Sequence, residues 1–101
     1  MQSYMLYSQA MSKSDWFLYI IETACGKLYT GITTDVNRRF KQHERGTGAK
    51  YLRGKDPLTL RLTVACENRS TATQLELKVK KLPRSEKLAL IGSPHEVYQL
   101  L

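Results

Sequence analysis

Trp16-Phe17-Leu18-Tyr19-Ile20-Ile21 and Lys27-Leu28-Tyr29-Thr30-Gly31-Ile32-Thr33, separated by Glu22 and the tetrapeptide Thr23-Ala24-Cys25-Gly26, decide the fold of this chain. The first run is aromatic and β-branched and has no helical period, which marks a buried strand. The tetrapeptide supplies a turn and the second run returns, so the two form a hairpin. Gly31 sits inside the returning strand. Glycine weakens a strand there unless a neighbour approaches its backbone closely or the strand bends.

Helical signals follow the hairpin. Val36, Phe40 and His43 fall at i, i+4 and i+7, with Thr34 placed to cap the helix and Gly46 to end it. Residues 46–57 combine glycines, a proline and basic side chains, the composition of a loop. From Leu58 to Cys66 the chain alternates. Leu58, Leu60, Leu62, Val64 and Cys66 are expected on one face, and Thr59, Arg61, Thr63 and Ala65 on the other. Thr71-Ala72-Thr73-Gln74 has the form of a capping box and opens a second helix with an apolar stripe of Ala72, Leu75, Val79 and Leu82. Pro83 interrupts it, and a short third helix runs from Arg84 to Ile91 and stops at Gly92. The order ββαβαα predicts an α+β fold with a small antiparallel sheet of about three strands flanked by helices. Residues 1–14 read as a flexible tail, in which Met11 is an alternative start. Residues 15–92 read as the domain, and 93–101 as a C-terminal tail.

Composition narrows the function. A chain of 101 residues holds one compact domain, and 42% apolar with 25% charged residues suits a soluble one. No apolar run approaches the roughly 20 residues that span a bilayer, and the N-terminus lacks the apolar block of a signal peptide. Cys25 and Cys66 form no CxxC pair, and with His43 and His95 they make no zinc framework. Free thiols in a reducing cytoplasm are the expectation. The net charge of +7 points to a polyanionic partner. It is concentrated between Arg38 and Lys55, where Arg38, Arg39, Lys41, Arg45, Lys50, Arg53 and Lys55 oppose Glu44 alone. A solvated surface would also carry such a run, so charge alone does not establish nucleic-acid binding.

Several chemistries fail for want of residues. Gly54-Lys55 lacks the glycine and the hydroxyl of a phosphate-binding loop, because Ala49 and Asp56 stand in those places. No GxSxG occurs, and the carboxylates do not cluster as a two-carboxylate hydrolase requires. A sparse polar set remains. Tyr19 and Tyr29 sit on the paired strands, Arg39 and His43 share a helix face, and Glu76 is the lone carboxylate between Arg69 and Ser85. Each also has an ordinary reading: tyrosines packed in a core with wet hydroxyls, a half-buried helix histidine, and an i, i+4 ion pair of Glu76 with Lys80.

Taken in order, this set resembles the GIY-YIG nuclease superfamily. The two name-giving tripeptides stand here as Leu18-Tyr19-Ile20 and Tyr29-Thr30-Gly31. Arg38-Arg39-Phe40-Lys41-Gln42-His43 with Arg45-Gly46 matches the family's arginine-bearing helix. Glu76 falls in the helix where the family places its metal-binding glutamate. The likeness runs from Trp16 to about Ile91 and is nearest to the small single-domain YhbQ-like branch, itself similar to junction-cutting nucleases. Leu18 and Thr30 replace a family Gly and Ile, and the Asn that many members carry after the glutamate has no counterpart beside Lys80 and Lys81. The resemblance implies hydrolysis of phosphodiester bonds with Mg²⁺ or Mn²⁺ held by Glu76, and a catalytic group of Tyr19, Tyr29, Arg39, His43 and Glu76. It implies nucleic acid as partner, most plausibly DNA, gripped by Arg38, Lys41, Arg45, Lys50, Arg53, Lys55 and Lys80. The alternative is a noncatalytic nucleic-acid- or ribosome-binding module on the same scaffold.

Overall fold

A computed structural model describes residues 15–101; the expected tail, 1–14, lies outside them. Strands β1 (Trp16–Glu22), β2 (Leu28–Thr33) and β3 (Thr59–Cys66) form one antiparallel sheet in the order β2-β1-β3. Helix α1 (Val36–Glu44) follows the hairpin, and α2 (Arg69–Lys80) and α3 (Arg84–Gly92) follow β3. This is the α+β, ββαβαα arrangement that the sequence predicts.

β1 takes the centre because both its faces are apolar. Leu18, Tyr19, Ile20 and Ile21 are all at most 2% exposed. Leu18 and Ile20 join Leu62, Val64 and Cys66 beneath Ala72, Leu75 and Val79 of α2 and Leu90 of α3, which make the larger core. Tyr19 and Ile21 point to the opposite face and pack with Leu52 and Leu58, with Phe40 of α1 and Tyr29 alongside. Helices therefore cover the two faces of the sheet unequally.

Four local expectations change. The β3 alternation breaks because Ile20 lies opposite Leu62 while Ile21 lies opposite Leu60, which leaves Arg61 as the extra residue of a bulge. Leu58 and Leu60 thus fall on the smaller-core side, Leu60 is 37% exposed, and Arg61 is free to pair with Glu22. Asp35, not Thr34, caps α1: its carboxylate accepts the Arg38 N–H at 3.0 Å, the reach a side chain needs from the cap to the third helical residue. Asn68 caps α2 in the same way, accepting the Thr71 N–H at 2.8 Å, so the helix begins two residues before the expected capping box. Within the expected loop, Lys50–Leu52 form a 3₁₀ turn that buries Leu52.

A further change concerns 93–101, expected as a tail. Pro94–Leu100 coil into 3₁₀ turns, Val97 is fully buried in the larger core, and the Tyr98 hydroxyl donates to the Ala65 carbonyl at 2.6 Å. One apolar side chain with a hydrogen-bonded tyrosine beside it is too short a pattern to register as an element, yet it completes the core. Val97→Ala is expected to lower unfolding free energy by about 1–3 kcal/mol, read from urea denaturation. A tail would give no change.

Candidate active site

The pairing of Tyr19 with Gly31 builds the site. A Cβ at Gly31 would stand 2.5 Å from the Tyr19 hydroxyl oxygen. Only a residue without a side chain lets the tyrosine ring lie across β2 at that point, which explains the glycine inside a strand. Tyr29, two residues earlier on the same face of β2, places its ring centroid 6.4 Å from that of Tyr19.

α1 supplies the next two groups. His43 is 1% exposed, and its Nε2 lies 2.9 Å from the Tyr19 hydroxyl. Its other nitrogen, Nδ1, accepts the Ala49 backbone N–H at 3.1 Å. A backbone N–H can only donate, so the neutral ring carries its proton on Nε2 and donates it to the Tyr19 oxygen. Neither ring nitrogen is then free to take a proton while both bonds hold. Burial, followed by the charge of Arg39, keeps His43 below its usual value of 6.5 and favours this neutral form. Arg39 is half-buried, is steadied by a 3.0 Å bond from Nη1 to the Gln42 side chain, and lies against the Tyr19 hydroxyl.

Tyr19 is held firmly protonated. Burial first, then the neighbouring Tyr29, push its hydroxyl up to about 12, with Glu76 adding to the rise and Arg39 opposing it. With its oxygen accepting from His43, the hydroxyl keeps its own proton to donate. Glu76 belongs to α2, on the opposite face of the sheet, and reaches Tyr19 through its charge alone, the smallest of the influences on that hydroxyl. The structure thus brings Tyr19, Tyr29, Arg39 and His43 together from two strands and one helix.

The basic residues are less uniform. Arg38, Lys41, Arg45 and Lys50 are exposed on α1 and the turn that follows. Arg53 donates from Nε to the Gly46 carbonyl at 2.9 Å and ties the loop together. Lys55 bonds the Tyr51 carbonyl at 2.6 Å and sits 4.4 Å above the centre of its ring. Lys80 is drawn to Glu76 at 3.1 Å, the i, i+4 pair recognised in the sequence.

Two contributors escape sequence reasoning. A Cβ at Gly48 would stand 2.3 Å from His43 Nδ1, so this glycine makes room for the bond to Ala49. Tyr51 stacks on Tyr29 with centroids 6.1 Å apart and planes 17° from parallel. An aromatic between Lys50 and Lys55 was the available signal for Tyr51. Gly48 had none, because its need arises only when the loop folds back over α1.

Comparisons with known proteins show what the chain is similar to. Residues 15–89 match the family model described as the GIY-YIG catalytic domain. The chain is 51% identical over 86 residues to UPF0213 protein YhbQ of Escherichia coli O127:H6 (strain E2348/69 / EPEC), covering 85% of this chain and 86% of that one. It is 51% identical over 81 residues to UPF0213 protein plu4503 of Photorhabdus laumondii subsp. laumondii, covering 80% and 78%. The solution NMR structure of UPF0213 protein BH0048 from Bacillus halodurans superposes with a TM-score of 0.51 at 43% identity, covering 85% of this chain and 95% of that one.

The His43 environment sets a pH dependence. Its folded pKa lies below the unfolded 6.5, so the unfolded chain takes the proton first as pH falls. The stability that neutral His43 contributes is complete above about pH 6.5 and is lost as pH drops through the lower folded value. Urea midpoints measured from pH 8 to pH 5 should fall in wild type and fall less in His43→Gln.

Proposed function

The chain belongs to the GIY-YIG catalytic-domain family, and on that premise we propose that it is a divalent-metal-dependent nuclease that hydrolyses phosphodiester bonds in DNA. Its substrates are selected by structure, or with weak sequence preference, because one small domain has no separate element for reading bases. The observation that carries this reading is the cluster of two tyrosines, a histidine and an arginine beside Gly31, with the charge of Glu76 felt at Tyr19.

Each group suits one requirement of the reaction. A phosphodiester is anionic, so attack by water needs charge neutralisation and alignment. Arg39 presents a planar fork that spans two phosphate oxygens, and its bond to Gln42 limits the geometries it must lose on binding. Tyr19 donates its retained proton to a phosphate oxygen or to the attacking water, while His43 Nε2–H holds the hydroxyl in place. His43 therefore acts as a positioning residue in this reading. Tyr29, reacting as the phenolate, takes the proton of the water as the O–P bond forms, and the 3′ oxygen leaves with the bonding electron pair and is protonated from solvent. The stacked ring of Tyr51 fixes the direction of Tyr29.

The donor set fits a hard, largely hydrated cation. Glu76 has a side chain 19% exposed and already attracts an ammonium. No group of three or more His, Cys, Asp or Glu side chains converges among the described residues, so a fully protein-ligated ion such as structural zinc is not provided for. Mg²⁺ or Mn²⁺ bound by one carboxylate and water matches what is present, and would supply Lewis-acid neutralisation of the phosphate and the leaving oxygen.

The second reading, a nucleic-acid-binding module without catalysis, draws on the Glu76–Lys80 pair, which an idle helix face would also form. Two variants separate the readings, both measured on folded protein with labelled flap, junction and linear DNA. Arg39→Lys keeps the charge but loses the fork. A loss of about 3–4 kcal/mol of transition-state stabilisation is expected, a fall in rate of about 10²–10³-fold. Glu76→Ala should abolish Mg²⁺- or Mn²⁺-dependent cleavage while metal-free DNA binding holds or tightens, because a negative charge has been removed. Cleavage that survives in Glu76→Ala would sink the proposed site, and cleavage absent from wild type would favour the binding module.

A further inference from the structure

A second basic feature lies outside the proposed site. Between the β1–β2 turn and the start of α3 is a cleft of about 240 Å³ lined by Lys27, Leu28, Arg84 and Lys87. Three of these four side chains are cationic and none is acidic. Glu22 pairs with Arg61 through Oε1 while its Oε2 faces Gly26 on the Arg84 side, and Glu86 lines a separate groove with Glu96. Arg84 donates to the Gly26 carbonyl and so closes one wall of the cleft against the hairpin. The helix adds to the positive character, since Pro83 at its N-cap offers no side-chain acceptor to its first N–H groups.

Three cations against the one carboxylate of Glu22 leave the cleft with an excess of positive charge that an anion can share. The position of the cleft says which anion. Lys27 and Leu28 directly precede Tyr29, and a strand rises about 3.3 Å per residue, so Lys27 stands about 7 Å from Tyr29 along β2. That is about the distance between neighbouring phosphates of one strand, whose backbone winds around the axis and so exceeds the 3.4 Å axial rise. β2 is an outer strand of the sheet, so no further strand separates the two places. We propose that Lys27, Arg84 and Lys87 form a phosphate subsite that holds the nucleic-acid backbone about one nucleotide from the scissile bond. The proposal rests on the nuclease reading and deepens it. It adds a strand-holding contact on the opposite side of Tyr29 from the basic α1 loop, so that the backbone is fixed on both sides of the bond to be cut.

The test is a salt series of anisotropy titrations without metal, using labelled single-stranded and duplex DNA on the full chain. It compares wild type, Lys27→Gln, Lys87→Gln and a charge-matched control, Lys78→Gln, whose ammonium instead bonds the Leu100 carbonyl. Each cleft variant should reduce the slope of log K against log salt by about 0.7 on single strands and 0.9 on duplex, while Lys78→Gln leaves it unchanged. Single-turnover cleavage at subsaturating DNA should fall in both cleft variants in step with their weaker binding, while Lys78→Gln matches wild type. Unchanged slopes in the cleft variants, with wild type binding normally, would overturn the subsite and leave the nuclease reading intact. An equal loss in Lys78→Gln would reduce the effect to net charge and overturn it as well. Wild type that fails to bind DNA would overturn both readings together.

Discussion

The contact on which the rest of the site depends is the hydrogen bond from His43 Nε2 to the Tyr19 hydroxyl. It joins the central strand to α1, and it forms only because two glycines leave room at its ends. Gly31 lets the tyrosine ring lie across β2, and Gly48 lets the loop backbone reach Nδ1. A buried histidine with both nitrogens satisfied, and a buried hydroxyl with a donor, avoid the desolvation cost that either would incur alone. Once the ring is fixed, Tyr29 and Arg39 have a common point to which their own elements bring them.

Charge is layered around this core of neutral groups. Neutral His43 and protonated Tyr19 sit inside, Arg39 and Glu76 flank them, and the exposed lysines and arginines lie beyond. The layering has a physical logic. Buried ions are costly, so the interior uses hydrogen bonds, and the charged groups stay where water can reach them. The same logic separates Lys80 from the other basic residues, because its partner Glu76 is close enough to compete for it.

Much of the fold was legible locally. The hairpin, α1 and the strand–helix order are carried by side-chain period and turn residues, which act over a few positions. The cap positions were misplaced by one to three residues because Thr34, Asp35, Asn68 and Thr71 are all competent caps, and the choice depends on backbone angles. The β3 bulge was invisible because the alternation Leu58, Leu60, Leu62, Val64 is a regular pattern that the pairing with β1 interrupts. Val97 was missed because a single apolar residue has no period.

The sequence by itself determined the αβ order, the basic surface and the identity of the polar set, since hydrophobic period, charge and residue type are properties of the chain. It also marked Gly31 as a place of close approach. Tertiary structure alone decided which residue approaches, that Glu76 from one face of the sheet acts on Tyr19 on the other, and that His43 keeps its proton on Nε2. These depend on where Ala49, Gly48 and α2 come to rest, tens of positions away or around a loop. A hydrogen bond assigns a tautomer only when the partner is in place.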